Sequence, residues 1–186
     1  SYQPSKPKVS GRAAGLWRVA QGSNAAVLKK IHNGGTHTGK QLGNQLNYLF
    51  SKATAVFGNM TDLDPHSRTL DGDQRKAIVE QWSDEWTGDP KNGHTTHLLV
   101  SFPSDVSAKR AQPVVEEWCM EMFQSGLHSD GEEWAYVAAL HTDRVNNHVH
   151  VVVNNRGLEN GDWFFMAKDH AFNLDFMKER LVEIAG

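Results

Sequence analysis

The stretch HTDRVNNHVHVVVNN, residues 141–155, decides the fold. Its polar centre and the His-Val alternation that follows read as the turn and second strand of a hairpin, with strands at Trp134 to Thr142 and His148 to Asn154 joined by Asp143 to Asn147. Side chains alternate faces along a strand, so His148 and His150 project to one side and Val149, Val151 and Val153 to the other, where the core is expected. His141 ends the preceding strand. Across the hairpin it comes opposite His148, where facing Cβ atoms sit about 5 Å apart. Three imidazoles then converge, a pattern that suits a divalent cation held by neutral nitrogens with positions open for a substrate oxygen. The competing reading is three polar residues on the wet face of an antiparallel hairpin; a third histidine across the turn tips the balance toward metal. Asp143, at the mouth of the hairpin, is placed to orient an imidazole or influence a proton donor, or else to cap the turn. Arg144 and Arg156 are expected to flank the site and face phosphate oxygens.

Outward from the hairpin, apolar periodicity and turn residues define the remaining elements. A strand is predicted from Ala25 to Ile31, followed by the turn His32-Asn33-Gly34-Gly35. A helix from Thr38 to Lys52 opens on a Thr38-x-x-Gln41 capping box. A long loop leads to a second helix, Asp73 to Trp86, capped by Asp71 and burying Ile78, Trp82 and Trp86. The strand Thr96 to Phe102 precedes a third helix, Ala111 to Ser125, with Pro113 in its first turn and Gly126 at its end. Trp163 to Met166 offers one more strand before a final helix through Leu174, Met177, Leu181 and Ile184. The ordering predicts an α+β fold, a largely antiparallel central sheet flanked by helices.

The chain has 186 residues, of which 39% are hydrophobic, enough for one core without staples. We expect residues 1–24 to be an extended or partly disordered segment and 25–186 to be one domain. The Ser1 start and the absence of a polar tail after the last helix suggest a domain excised from a longer chain. The single cysteine, Cys119, forms no internal disulfide and lies in an apolar run, which favours a reducing, cytoplasmic setting. No apolar stretch approaches a membrane span and no leader opens the chain, so membrane insertion is not expected. The net charge of −3 points to no nucleic-acid partner by itself, but local clusters of Lys and Arg act within a Debye length and can build a basic groove.

On the Thr38 helix, Leu42, Leu46, Leu49 and Ala53 line the buried stripe. Tyr48 falls about 120° away, among Gln41, Asn44, Gln45 and Lys52. Its hydroxyl therefore points along a polar flank, a candidate nucleophile that needs a base or nearby positive charge to attack at neutral pH.

Three blocks together resemble the HUH-type relaxases, the conjugative strand-transfer endonucleases, and especially the MobP branch with its Vir-type border endonucleases. NQLNYLFSK around Tyr48 resembles the nucleophile helix. HTTHLLVSFP, residues 94–103, is similar to the second motif, with Ser101 where the family holds DNA near the cut. HTDRVNNHVHVVVN resembles the third, His-x-Asp-x4-His-x-His-x3-Asn, which carries the metal ligands; Val145 and Asn146 stand where some relatives have an acidic residue or histidine.

The resemblance implies that a metal held by His141, His148 and His150 polarises the scissile phosphate while Tyr48 attacks phosphorus, leaving a 5′-phosphotyrosine and a free 3′-hydroxyl. Asp143 would orient an imidazole or accept the tyrosine proton. Magnesium or manganese is the expected ion, with zinc also compatible with nitrogen ligands. The implied substrate is single-stranded DNA at a transfer origin or border, contacted by Ser101, Lys52, Arg144, Arg156 and Asn154. Implied partners are accessory relaxosome proteins and the type IV secretion coupling machinery, with a cytoplasmic location and export attached to transferred DNA.

An alternative within the superfamily is a rolling-circle replication initiator. A rival from another class is a nucleotide-binding P-loop at Gly34 to Gln41, GGTHTGKQ, which has Gln41 where the metal-binding Ser or Thr belongs.

Overall fold

The valine-rich segment 148–154 becomes the central strand of a five-stranded sheet. In the computed structural model, which describes residues 26–60, 63 and 69–186, the strands are β1 (Val27–Lys30), β2 (Ala55–Gly58), β3 (Thr95–Ser101), β4 (Tyr136–His141) and β5 (His148–Asn154). The helices are α1 (Gly39–Phe50), α2 (Gly72–Ser83), α3 (Ala108–Cys119) and α4 (Leu174–Ala185). The sheet order is β1-β3-β5-β4-β2 and every pairing is antiparallel, the α+β architecture that the sequence predicts. The extended segment expected over residues 1–24 lies outside the described residues.

Both faces of the sheet are covered. Val149, Val151 and Val153 pack with Leu98, Val100, Ala138 and Leu140 beneath α3 and α4, around Trp118, Phe123 and Leu181. The opposite face carries a second core, in which Leu42, Leu46 and Leu49 of α1 and Ile78 and Trp82 of α2 pack on Val137, Ala139 and Val152. The expectation of a single core on the valine side is therefore corrected: the face bearing the histidines is apolar over β2, β4 and the far half of β5. It stays open beside β3, where Leu99, Ser101 and His150 are only half-buried.

Local chemistry accounts for the helix starts. Thr38 Oγ1 accepts the Gln41 backbone N–H at 3.1 Å, but Gln41 returns its side-chain oxygen to the N–H of His37 rather than Thr38, so only half of the expected box forms. At α2 the box is complete between Asp71 and Gln74. α3 begins at Ala108 on the Ser107 cap, which moves Pro113 from the first turn into the helix interior. After Cys119 the helix widens into a π-turn (Met120–Gln124), in which Ser125 N–H reaches back five residues to Met120 O at 2.9 Å. Three further expectations are corrected. The long loop after α1 contains β2, which pairs with β4. Residues 163–166 add no strand, only a single bridge between Trp163 and Arg156. Trp86 lies past the end of α2, half-buried against the core of Ile78 and Trp82, and stacks on His94.

The loop beyond β5 is fastened to the start of β4 by one carboxylate. Glu132 is buried and accepts the backbone N–H groups of Glu133, Glu159 and Asn160 at 2.8 Å each and of Asp162 at 3.1 Å. Burial raises its pKa, but these four donors outweigh burial and leave it below the usual carboxylate value of 4.5. Because the folded value is depressed, the stabilisation is present above 4.5 and is lost as pH falls through the folded value. Replacing Glu132 with Ala removes the shared acceptor of four backbone donors, at an expected cost of about 3 kcal/mol at pH 7 by urea unfolding. A loss under 1 kcal/mol, by order of magnitude a surface effect, would show that the clamp contributes little.

Candidate active site

The hairpin register sets the geometry. His141 and His148 are direct partners across β4 and β5, and His150 faces Ala139, whose methyl leaves room for the imidazoles. Their ring centroids lie 5.1 Å (His141 to His148), 4.8 Å (His141 to His150) and 5.3 Å (His148 to His150) apart. One nitrogen from each ring lies within 4.8 Å of the others, and among the described residues this is the His/Cys/Asp/Glu group able to hold a metal ion.

Each ring also has one nitrogen occupied. His141 Nε2–H donates to Leu49 O at 2.6 Å and His148 Nδ1–H donates to Asn146 O at 3.2 Å. Carbonyls only accept, so the lone pairs of these two rings sit on His141 Nδ1 and His148 Nε2. His150 Nδ1 is 2.9 Å from Nε2 of a fourth histidine, His97. The donor set thus fits a divalent cation: neutral imidazoles with a second contact fixing each ring.

Burial pushes His150 down to about 3, assisted by the positive charge of His97, His141, His148 and Arg144 on protonation. Burial alone pushes His97 down to about 4. Both values lie below the ordinary 6.5, so the unfolded chain takes up protons first as pH falls. The metal-free protein is therefore expected to be fully stabilised by this pair above 6.5 and to lose that contribution as pH drops toward 4. Thermal melts in chelator at pH 7 and pH 5 test this; a Tm that does not fall would contradict it.

Tyr48 sits in the last turn of α1 and is 71% exposed. The next residue, Leu49, supplies the carbonyl that His141 binds, so the end of α1 is fastened directly to the histidine hairpin. Lys52 Nζ lies 6.0 Å from the Tyr48 ring centroid. Tyr136 is unsuited to nucleophilic work: it is buried in the opposite core, donates to Gln124 Oε1, and burial pushes its phenol well above the usual value. Asp143 and Arg144 are exposed at the hairpin tip beside Val145. Ser101 pairs with His148 across β3 and β5, on the histidine face.

Two expected DNA contacts are not brought here. Asn154 is buried at the far end of β5, six residues or about 20 Å from His148, and its Oδ1 accepts the Trp86 indole N–H. Arg156 lies farther still, bridged to Trp163. Closeness in sequence does not give closeness in space here, because an extended strand carries each residue about 3.3 Å farther away.

His97 is the residue that sequence reading missed. A signal was available: His97, Leu99 and Ser101 share strand parity, so a Ser101 that faces the site brings His97 to the same face.

The P-loop alternative does not survive the structure. β1 is an edge strand antiparallel to β3, with Val27, Lys29 and Lys30 exposed, whereas that motif follows a buried parallel strand. The loop is committed elsewhere: Thr36 N–H donates to Thr95 Oγ1, Thr36 O accepts from His94 N–H, and a Cβ on Gly35 would lie 2.0 Å from Asn92 O.

An antiparallel sheet with helices on both faces, an inter-strand histidine triad and an exposed tyrosine on the helix fastened to it define a relaxase-type nuclease fold. Residues 50–183 match the relaxase family described as MobA/VirD2-like, nuclease domain, and the chain belongs to that family. The match contains the three histidines and Ser101 and begins just after Tyr48.

The chain is 32% identical over 172 residues to the T-DNA border endonuclease VirD2 of Rhizobium radiobacter, covering 86% of this chain and 39% of that protein. It is 33% identical over 173 residues to the proteins of the same name from Agrobacterium fabrum and Rhizobium rhizogenes, covering 86% of this chain and 37% and 38% of theirs. It thus spans under two-fifths of the length of these curated relatives. No helix among the described residues is long and apolar enough to cross a membrane.

Proposed function

We propose that this chain is a site- and strand-specific DNA nicking and strand-transfer domain that acts on single-stranded DNA at a transfer origin or border. The observation that carries the reading is the Leu49–His141 hydrogen bond, which joins the helix of an exposed tyrosine to the triad. The resemblance of all three blocks to relaxases and the similarity to T-DNA border endonucleases support it.

His141, His148 and His150 would hold a divalent ion, magnesium or manganese, which when bound supplies positive charge to a non-bridging phosphate oxygen. Tyr48 Oη attacks phosphorus; the Tyr48 O–P bond forms, the bond from phosphorus to the 3′ oxygen breaks, and the upstream strand leaves with that oxygen, which takes a proton from solvent to end as a free 3′-hydroxyl. Asp143 accepts the phenol proton or orients an imidazole, and Arg144 and Lys52 supply charge to the backbone phosphates. Ser101, beside His148, holds DNA close to the cut. One phosphodiester replaces another, so rejoining needs no nucleotide. Accessory DNA-processing proteins and a type IV secretion apparatus are the proposed partners, the protein acting in the cytoplasm and leaving attached to the transferred strand.

Incubating the protein with Mn²⁺ and labelled single-stranded oligonucleotides that span candidate origins and borders tests this. The expected products are a covalent protein–DNA adduct on the 5′ end of one fragment and a free 3′-hydroxyl on the other. Cleavage that leaves both ends free of protein would contradict it.

A further inference from the structure

The hydrogen bonds of the triad leave one proton undecided. For His141 and His148 the carbonyl partner dictates which nitrogen carries hydrogen. Between His97 Nε2 and His150 Nδ1, 2.9 Å apart, either ring can donate. If His97 donates, a neutral His150 carries its own proton on Nε2, the nitrogen left for an ion, and has no lone pair to offer there. If His150 donates, its Nε2 lone pair is free and His97 holds its proton on Nδ1.

Only the second arrangement gives the triad a third ligand atom. We propose that His97 is a positioning residue, the acceptor that fixes the proton of His150 on Nδ1 and so prepares His150 Nε2 for the cation. This rests on His150 being a ligand of the proposed site.

The surroundings suit this role. His97 is buried on β3, on the histidine face but one residue pair farther along than His150, opposite Val152 rather than in the triad. The group able to hold a metal comprises the other three histidines, so His97 acts through a ligand. The two rings are tilted at 38° with centroids 5.1 Å apart, an arrangement in which the nitrogens meet edge to edge rather than stack. Gly34 packs closely on the base of the His97 side chain, where a Cβ would come within 2.8 Å of His97 Cβ.

Mn²⁺ binding followed by electron paramagnetic resonance, without DNA, tests the proposal in four proteins: wild type, His150→Ala, His97→Leu and His97→Gln. The Leu side chain has no acceptor, whereas the Gln amide oxygen reaches the place of His Nε2. His97→Leu is expected to weaken Mn²⁺ binding about 10- to 100-fold, and His97→Gln to restore most of it. Wild-type affinity in His97→Leu, or equal loss in Leu and Gln, overturns the positioning role.

The ligand assignment fails separately, if His150→Ala binds as wild type does or if wild type binds no Mn²⁺. In that event, nitrogen-15 NMR of the histidine rings in metal-free protein still decides the tautomer. A proton on His150 Nδ1 in wild type that redistributes in His97→Leu supports His97 as the acceptor that fixes the tautomer; a proton on His150 Nε2 in wild type overturns it.

Discussion

Replacing Tyr48 with Phe is expected to abolish the covalent protein–DNA adduct and to lower strand cleavage by at least about 10³-fold, the scale of losing a nucleophile that acts as part of a unit. The change deletes one oxygen from a side chain that is 71% exposed. Stability should therefore move by no more than about 0.5 kcal/mol, and oligonucleotide binding, which relies on phosphate charge and base stacking, should be nearly unchanged. Among the described tyrosines no substitute is available, since Tyr136 is locked in the opposite core. Gel analysis of the labelled adduct beside a binding titration separates the two effects. An adduct formed at the wild-type rate by Tyr48→Phe would assign the attack to another residue.

The second large effect is expected from His150→Ala. His150 is the triad member that meets His97, so its loss removes one proposed ligand and leaves His97 without its partner. A bound ion is worth several kcal/mol of transition-state stabilisation, and each 1.36 kcal/mol is tenfold, so cleavage should drop by about 10³-fold or more. DNA affinity should stay within a few-fold of wild type, because the proposed phosphate contacts Arg144 and Lys52 are untouched. The fold should persist, since His150 is only half-buried and lies outside both apolar cores. Full cleavage by this variant would remove His150 from the ligand set.

The hairpin was legible because a strand's parity is rigid: once 148–154 is read as a strand, the valines and the two histidines separate without further information, and the turn brings His141 opposite His148. α1 was legible because Leu42, Leu46 and Leu49 repeat at helical spacing and leave Tyr48 on another side. β2 escaped because four residues, AVFG, are too few to show alternation, and its strand character comes from pairing with β4. The second core escaped for a related reason: polar residues at the open end of a strand say nothing about what covers the other end. Parity places His97 on the histidine face, but its hydrogen bond to His150 depends on β3 lying next to β5, a long-range pairing that no local pattern specifies. Asn154 and Arg156 stand apart from the triad because neighbours along an extended strand are separated in space.

Tandem mass spectrometry of the adduct formed on a cleavable oligonucleotide, with Mn²⁺ and with chelator, bears most directly on whether the α1 phenol and the histidine hairpin act on one phosphorus. A nucleotide mass is expected on Tyr48, formed with Mn²⁺ and absent in chelator and in His150→Ala. Attachment at any other residue, or attachment to Tyr48 at an equal rate in chelator, would contradict it.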